Sequence, residues 1–177
     1  MTETEIRQDL GRAKNAIQDY LIRKLVVPKV YLDANWNGTQ VDVLAIDRAG
    51  VGDVHAVRMI PLDPDTSLNA VFILFASKLH VPLEEIKSLP SHYRYIAIVN
   101  VDSNTRKFNP HEEIVWQSLA DDGVGRVGIL YVDLCEDDPK LQVRVILKAE
   151  RFRSSKEIVE LADRYVAGHT ANWEIRE

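Results

Sequence analysis

An α/β fold, an open mixed sheet with helices over both faces, is predicted by three features of the sequence. Apolar residues recur at spacings of three and four near both ends of the chain, from Ile6 to Leu21 and from Ile158 to Val166, which is the period of a helix with one buried stripe. Between them, strand-like runs are separated by the turn signals Asn37-Gly38 and Arg48-Ala49-Gly50-Val51-Gly52. Val41–Ile46 and Tyr95–Val99 are mostly apolar rather than alternating, as suits strands covered on both sides.

The elements follow in order. Ile6, Leu10, Ala13, Ile17, Tyr20 and Leu21 share one helical face, and Thr2 with Glu5 has capping-box spacing. Pro28 ends this helix by the mid-twenties, because the residue before a proline avoids helical angles. Lys29–Trp36 and Thr39–Asp47 flank the hairpin signal, and Asp53–Ile60 completes a three-stranded meander closed by Pro61 and Pro64. Asp65 or Thr66 caps an apolar, buried helix over Leu68–His80, and Pro82–Pro90 reads as a short helical excursion. Tyr93–Val99 is the buried central strand. Asn109 and Pro110 open a helix through about Ala120, with proline where its missing donor costs nothing. Arg126–Asp133 and Gln142–Ala149 are two more strands around the acidic loop Glu136-Asp137-Asp138-Pro139. Ser154 and Glu157 have the spacing of a second capping box, ahead of the last helix. With no internal repeat and no linker, residues 1–177 read as one domain.

Composition narrows the class. With 46% hydrophobic and 28% charged residues, the chain is neither collagenous nor low-complexity, and its 177 residues can bury about 70% of their unfolded surface. The lone Cys135 excludes a disulfide framework and a cysteine-rich zinc site, and predicts a reducing compartment. No apolar run reaches the ~18–20 residues of a membrane span, and the acidic start Thr2-Glu3-Thr4-Glu5 is unlike a signal peptide. A cytoplasmic protein away from membranes is expected. Net charge is −5 and no third of the chain is net basic, so a protein partner or self-association is favoured over nucleic acid.

Several motifs have structural readings. Gly123-Val124-Gly125-Arg126-Val127-Gly128 has dinucleotide-loop spacing, but it leaves a helix and enters a strand, the reverse of what a phosphate site needs. His111-Glu112-Glu113 falls in a first helical turn, where acids suit the dipole. His80, His92 and His169 are scattered singly without ligand spacing, and Cys135 lacks a positive neighbour to activate it. Arg151-Phe152-Arg153 with Lys156 is the densest basic cluster that includes an aromatic residue, a solvated face by default.

The first six elements, together with Gly38-Thr39-Gln40-Val41-Asp42-Val43-Leu44-Ala45-Ile46-Asp47, resemble the PD-(D/E)XK nuclease superfamily over roughly residues 5–100. The resemblance implies a restriction-endonuclease-like αβββαβ core, here with a C-terminal β-β-α extension over residues 101–177. It also implies an acid on the second strand and an acid-any-lysine triplet on the third, the acids holding Mg²⁺ and the lysine serving the attacking water. Asp42 falls at the first position.

A tight hairpin centred on Gly50 sets Asp42 opposite Arg58 and Leu44 opposite Ala56, so the triplet becomes Ala56-Val57-Arg58. A bulge at Gly50 or Gly52 would change which residue faces Asp42. The second acid is missing, and arginine, which cannot act as a base, replaces lysine. The expected function is therefore a nuclease-fold protein without cleavage chemistry, serving as a binding or assembly module or as a scaffold, and needing no cofactor. The alternative is an active Mg²⁺-dependent nuclease in which Asp42 holds the metal and migrated groups complete the site, drawn from Asp33, Asp47, Asp53, His55 and Lys78. Asp42 and Arg58 read either as a cross-strand pair filling a retired site or as groups still contacting a phosphate or partner. The apolar neighbours Val41, Val43, Leu44, Val57, Met59 and Ile60 predict that the pair is buried.

Overall fold

A computed structural model of the chain describes residues 3–26, 28–48, 52–61, 82–100, 126–152 and 155–174. Its elements are α1 (Glu3–Lys24), β1 (Pro28–Trp36), β2 (Thr39–Asp47) and β3 (Asp53–Pro61), then α2 (residues 82–88), β4 (Tyr93–Asn100), β5 (Gly128–Asp133), β6 (Val143–Leu147), α3 (Lys156–Gly168) and β7 (Trp173–Glu174). The helices expected over Leu68–His80 and Asn109–Ala120 lie outside the described residues, as do the first three residues of the glycine motif, His111-Glu112-Glu113, Lys78 and Thr2.

All seven strands form one mixed sheet in the order β6-β5-β4-β3-β2-β1-β7. The predicted meander is there: β1 and β2 pair antiparallel around Asn37-Gly38, whose φ angles of 52° and 82° are the pair of positive values a two-residue hairpin turn demands. β3 is antiparallel to β2 and parallel to β4, β5 is parallel to β4, and β6 returns antiparallel. The strands of the C-terminal extension thus continue the same sheet.

Two separate cores account for the mostly apolar strands. On one face, Ala13, Ile17 and Leu21 of α1 pack over Val43, Ala45, Val57 and Ala97. On the other, Ile86 and Leu89 at α2, with Ile158, Ala162 and Tyr165 of α3, cover Trp36, Leu44, Ala56, Ile96 and Ile129. Every residue of β5 is buried. No described helix is long and apolar enough to cross a membrane.

Three details depart from the sequence reading. Ser155, not Ser154, caps the last helix, its hydroxyl accepting the Ile158 N–H at 3.2 Å. The two-residue β7 is too short for periodicity to reveal. It is held to β1 through Asn172, whose N–H donates to the Val30 carbonyl while its Oδ1 accepts from the Leu32 N–H. Finally, Asp33 interrupts β1 with φ 52°, a left-handed value that aspartate tolerates better than most residues. Leu32 packs toward α1 while Ala34 faces the other core, although simple alternation would put both on one side.

Gly128 sits where β5 meets its neighbours. A Cβ there would come within 2.7 Å of the Tyr95 ring and 2.8 Å of the Ala149 backbone nitrogen. Gly128→Ala is expected to destabilise the protein by about 1–3 kcal/mol through overpacking. At Gly11, exposed on α1 with nothing within 4 Å of an added Cβ, alanine is expected to stabilise by about 0.5–1 kcal/mol. Urea denaturation of the two variants should show opposite shifts in midpoint.

Candidate functional site

The β2–β3 register pairs Leu44 with Ala56 and ends at Val43 with Val57. One residue further, Asp42 and Arg58 do meet, with Arg58 Nη1 3.7 Å from Asp42 Oδ2. Two features of the meeting differ from the expectation. The pair is not buried, since the Asp42 and Arg58 side chains keep 19% and 26% of their exposure. The β2–β3 pairing ends one residue earlier, at Val43 and Val57. Nor is the pair isolated. Arg58 Nη2 also donates to Glu85 Oε2 of α2 at 3.4 Å, so one guanidinium bridges two carboxylates.

Asp42 has a second role that sequence reasoning missed. Its Oδ2 accepts the backbone N–H of Met59 at 2.8 Å, at the point where the β2–β3 ladder has stopped. A side-chain oxygen thus satisfies a donor that an antiparallel neighbour would otherwise serve. The only advance signal was that Asp is a small, local hydrogen-bond acceptor. Glu85 was equally hidden, because nothing in the sequence says which strand residue α2 crosses.

The donor set here does not fit a divalent cation. Asp42 brings one carboxylate, already engaged by Met59 and facing a permanent cation, while the fully buried Ala56 brings only a methyl group. The candidate substitute acids are dispersed. Asp33 lies across β1 from Asp42, between the pairs Leu32–Val43 and Ala34–Val41, but its carboxylate pairs with Lys14 of α1. Asp47 and Asp53 face each other at the far end of the β2–β3 hairpin, about 16 Å along the strand from Asp42 at 3.3 Å per residue. Among the described residues, no three His, Cys, Asp or Glu side chains come together as metal ligands.

That far end is a polar cluster in its own right. Asp47 Oδ2 accepts the Val26 N–H at 3.1 Å, tying the end of α1 to β2. Asp53 takes a bidentate grip from Arg151, with Nη2 at 2.7 Å and Nε at 3.2 Å. Burial opposes ionisation of Asp53, but the Arg151 hydrogen bonds and charge outweigh it and hold the carboxyl below its usual range. His92, fully buried, accepts the Val54 N–H through Nδ1 at 3.0 Å, and burial lowers its pKa. His55 stacks on Tyr93 at 4.5 Å between ring centres and on Tyr95 at 6.2 Å. Burial pushes its pKa down to about 4, against the opposing pull of Asp53 and Asp47.

The remaining sequence candidates serve structure. His169 stacks on Tyr165 at 3.9 Å. In the basic cluster, Arg151 is bound to Asp53, Lys156 pairs with Glu160 at 3.5 Å, and Phe152 lies under the Arg94 guanidinium. Cys135 is exposed, its N–H donating to Asp133 Oδ1 at 3.1 Å.

Comparison with family models and with curated proteins gives no match. Among solved structures, a protein of unknown function from Silicibacter pomeroyi aligns at 10% identity with a TM-score of 0.39, over 79% of this chain and 72% of that one.

Asp42→Ala leaves the Met59 N–H without its acceptor and should cost about 1–3 kcal/mol, whereas Asp42→Asn keeps an acceptor oxygen and should cost under about 1 kcal/mol, the scale of an ion pair that solvent still reaches. A double-mutant cycle with Arg58→Met should give a coupling near 1 kcal/mol or less rather than the 3–5 kcal/mol lost on breaking a buried pair. For His55, the folded-state pKa of about 4 lies below the unfolded value near 6.5. Between those values the unfolded chain holds a proton that the folded chain refuses, so stability falls as pH drops through that window. From pH 7 to pH 5 this amounts to about 2 kcal/mol, and His55→Phe should remove it while keeping the ring stack. Urea titrations of wild type and variant at the two pH values measure the difference directly.

Proposed function

We propose that the chain is a divergent PD-(D/E)XK-type protein that has lost metal-dependent phosphodiester cleavage and works as a binding or assembly module. What supports the fold part of this reading is the order α1, antiparallel β1–β2–β3, α2 and then β4 parallel to β3, which matches the αβββαβ arrangement that the resemblance implies. What carries the functional part is the state of the acid-bearing position. Asp42 is committed to the Met59 N–H and to Arg58, and the triplet position that would bring a second acid is the buried Ala56.

The charges here are mutually neutralised. Arg58 sits between Asp42 and Glu85, an arrangement that holds strand β3 against α2 and leaves no carboxylate pair for a cation. Arginine is a poor general base, so it does not replace the lysine that serves the attacking water in the resembled family. With a net charge of −5, the partner this reading favours is a protein or a second copy of the chain rather than nucleic acid.

The expected outcome is that pure protein incubated with plasmid DNA, single-stranded DNA or RNA in Mg²⁺ or Mn²⁺ gives no cleavage above background. Metal-dependent cleavage that disappears in Asp42→Asn, a variant expected to stay folded, would overturn the proposal.

A further inference from the structure

We propose that Arg94, with Arg126 and Phe152 beside it, binds the dianionic phosphoryl group of a small phosphate monoester. The site is distinct from Asp42 and Arg58, and the inference does not depend on the reading of that pair.

Arg94 stands on β4 directly across from Ala56 and on the same face as Arg58. Its guanidinium is held in place but not neutralised. Nη1 donates to the Lys87 carbonyl at 2.5 Å, and Cζ lies 3.7 Å from the centre of the Phe152 ring. Nε is buried without a hydrogen-bond partner, and no carboxylate among the described residues pairs with the group. The contrast with Arg58, which has two carboxylates on the adjacent strand and helix, is direct. A half-buried charge without a counter-ion is costly. Burial pulls the guanidinium pKa down. An anion from solution is the missing partner.

Phe152 and Arg126 indicate which anion. Phe152 is anchored by its own N–H, which donates to the His92 carbonyl at 2.8 Å, so the ring forms a fixed floor for Arg94. Arg126 Cζ lies 5.9 Å from the centre of the same ring. Its present partner, Glu150, is 3.3 Å away in a pair whose side chains are 55% and 69% exposed. Such a pair opens at little cost, freeing a second guanidinium to converge on a ligand held by the first. Two planar forks at one aromatic floor suit an oxyanion with several acceptor oxygens and two charges. A carboxylate or a phosphodiester offers only one charge.

The test titrates the intact chain with inorganic phosphate, dimethyl phosphate and acetate at pH 8 and fixed ionic strength, following binding by isothermal calorimetry. Inorganic phosphate should bind at least tenfold more tightly than either monoanion. Arg94→Gln should weaken phosphate at least about tenfold, as expected for loss of a charge-assisted bond, and Arg126→Gln several-fold. Arg12→Gln, on α1 over the opposite face, should leave binding unchanged. Equal affinity for the three anions, or phosphate binding that survives both Arg94→Gln and Arg126→Gln, overturns the proposal. Preferential binding of dimethyl phosphate also overturns it, in favour of a nucleic-acid backbone. Should Arg94→Gln fail to fold, the exposed Arg126→Gln decides alone, with unchanged affinity counting against the proposal.

Discussion

Leu44 and Ala45 are neighbours on one strand, yet each is fully buried in a different core, and keeping both cores dry governs the rest of the molecule. A sheet whose central strands are apolar on both sides must be covered twice. α1 serves one face, and α2 with α3 serves the other. Both sets of contacts are non-local, linking the first helix to β5 and the last helix to β1. At about 25 cal/mol per Å² of apolar area removed from water, this double coverage is the main favourable term in folding. Parallel pairing of β3, β4 and β5 fits the same constraint, because parallel strands are found where both faces are shielded.

Polar groups are consequently pushed to the ends of the strands, where each has a definite task. Asp42 ends the β2–β3 ladder by serving Met59, Asp47 ties the end of α1 to β2, and Asp53 clasps Arg151. His92 links β3 to the segment entering β4, through its ring and also through its N–H, which donates to the Val54 carbonyl. These are hydrogen bonds to backbone or to a single opposite charge. They hold strand ends in place, and they also disperse the carboxylates that a metal site would need to gather.

The two arginines on adjacent strands show how local context divides one residue type into two functions. Arg58 meets Asp42 just past the end of the β2–β3 ladder and Glu85 on α2, so its charge is absorbed by the fold. Arg94, across from a methyl group at Ala56, has a ring and a carbonyl but no counter-charge among the described residues. A structural cation satisfies itself internally. One left half-buried and uncompensated is suited to meeting an anion from outside.

By itself the sequence determined the order of the described elements, the positive-φ turn at Asn37-Gly38 and the β2–β3 register that pairs Leu44 with Ala56. These follow from local rules: helical and strand periodicity, turn chemistry and the symmetry of a tight hairpin. It also brought Asp42 and Arg58 together, since a register is arithmetic once the turn is known. Whether that pair was buried, which carboxylate α2 added to it, and that Asp42 served a backbone donor were decided only by the tertiary structure. So were the break in alternation at Asp33, the short β7 and the seat of the Arg94 guanidinium over the Phe152 ring. The physical reason is common to all of them. Each depends on where strand pairing ends and which helix crosses above, and those distances are set by packing between segments far apart in the chain.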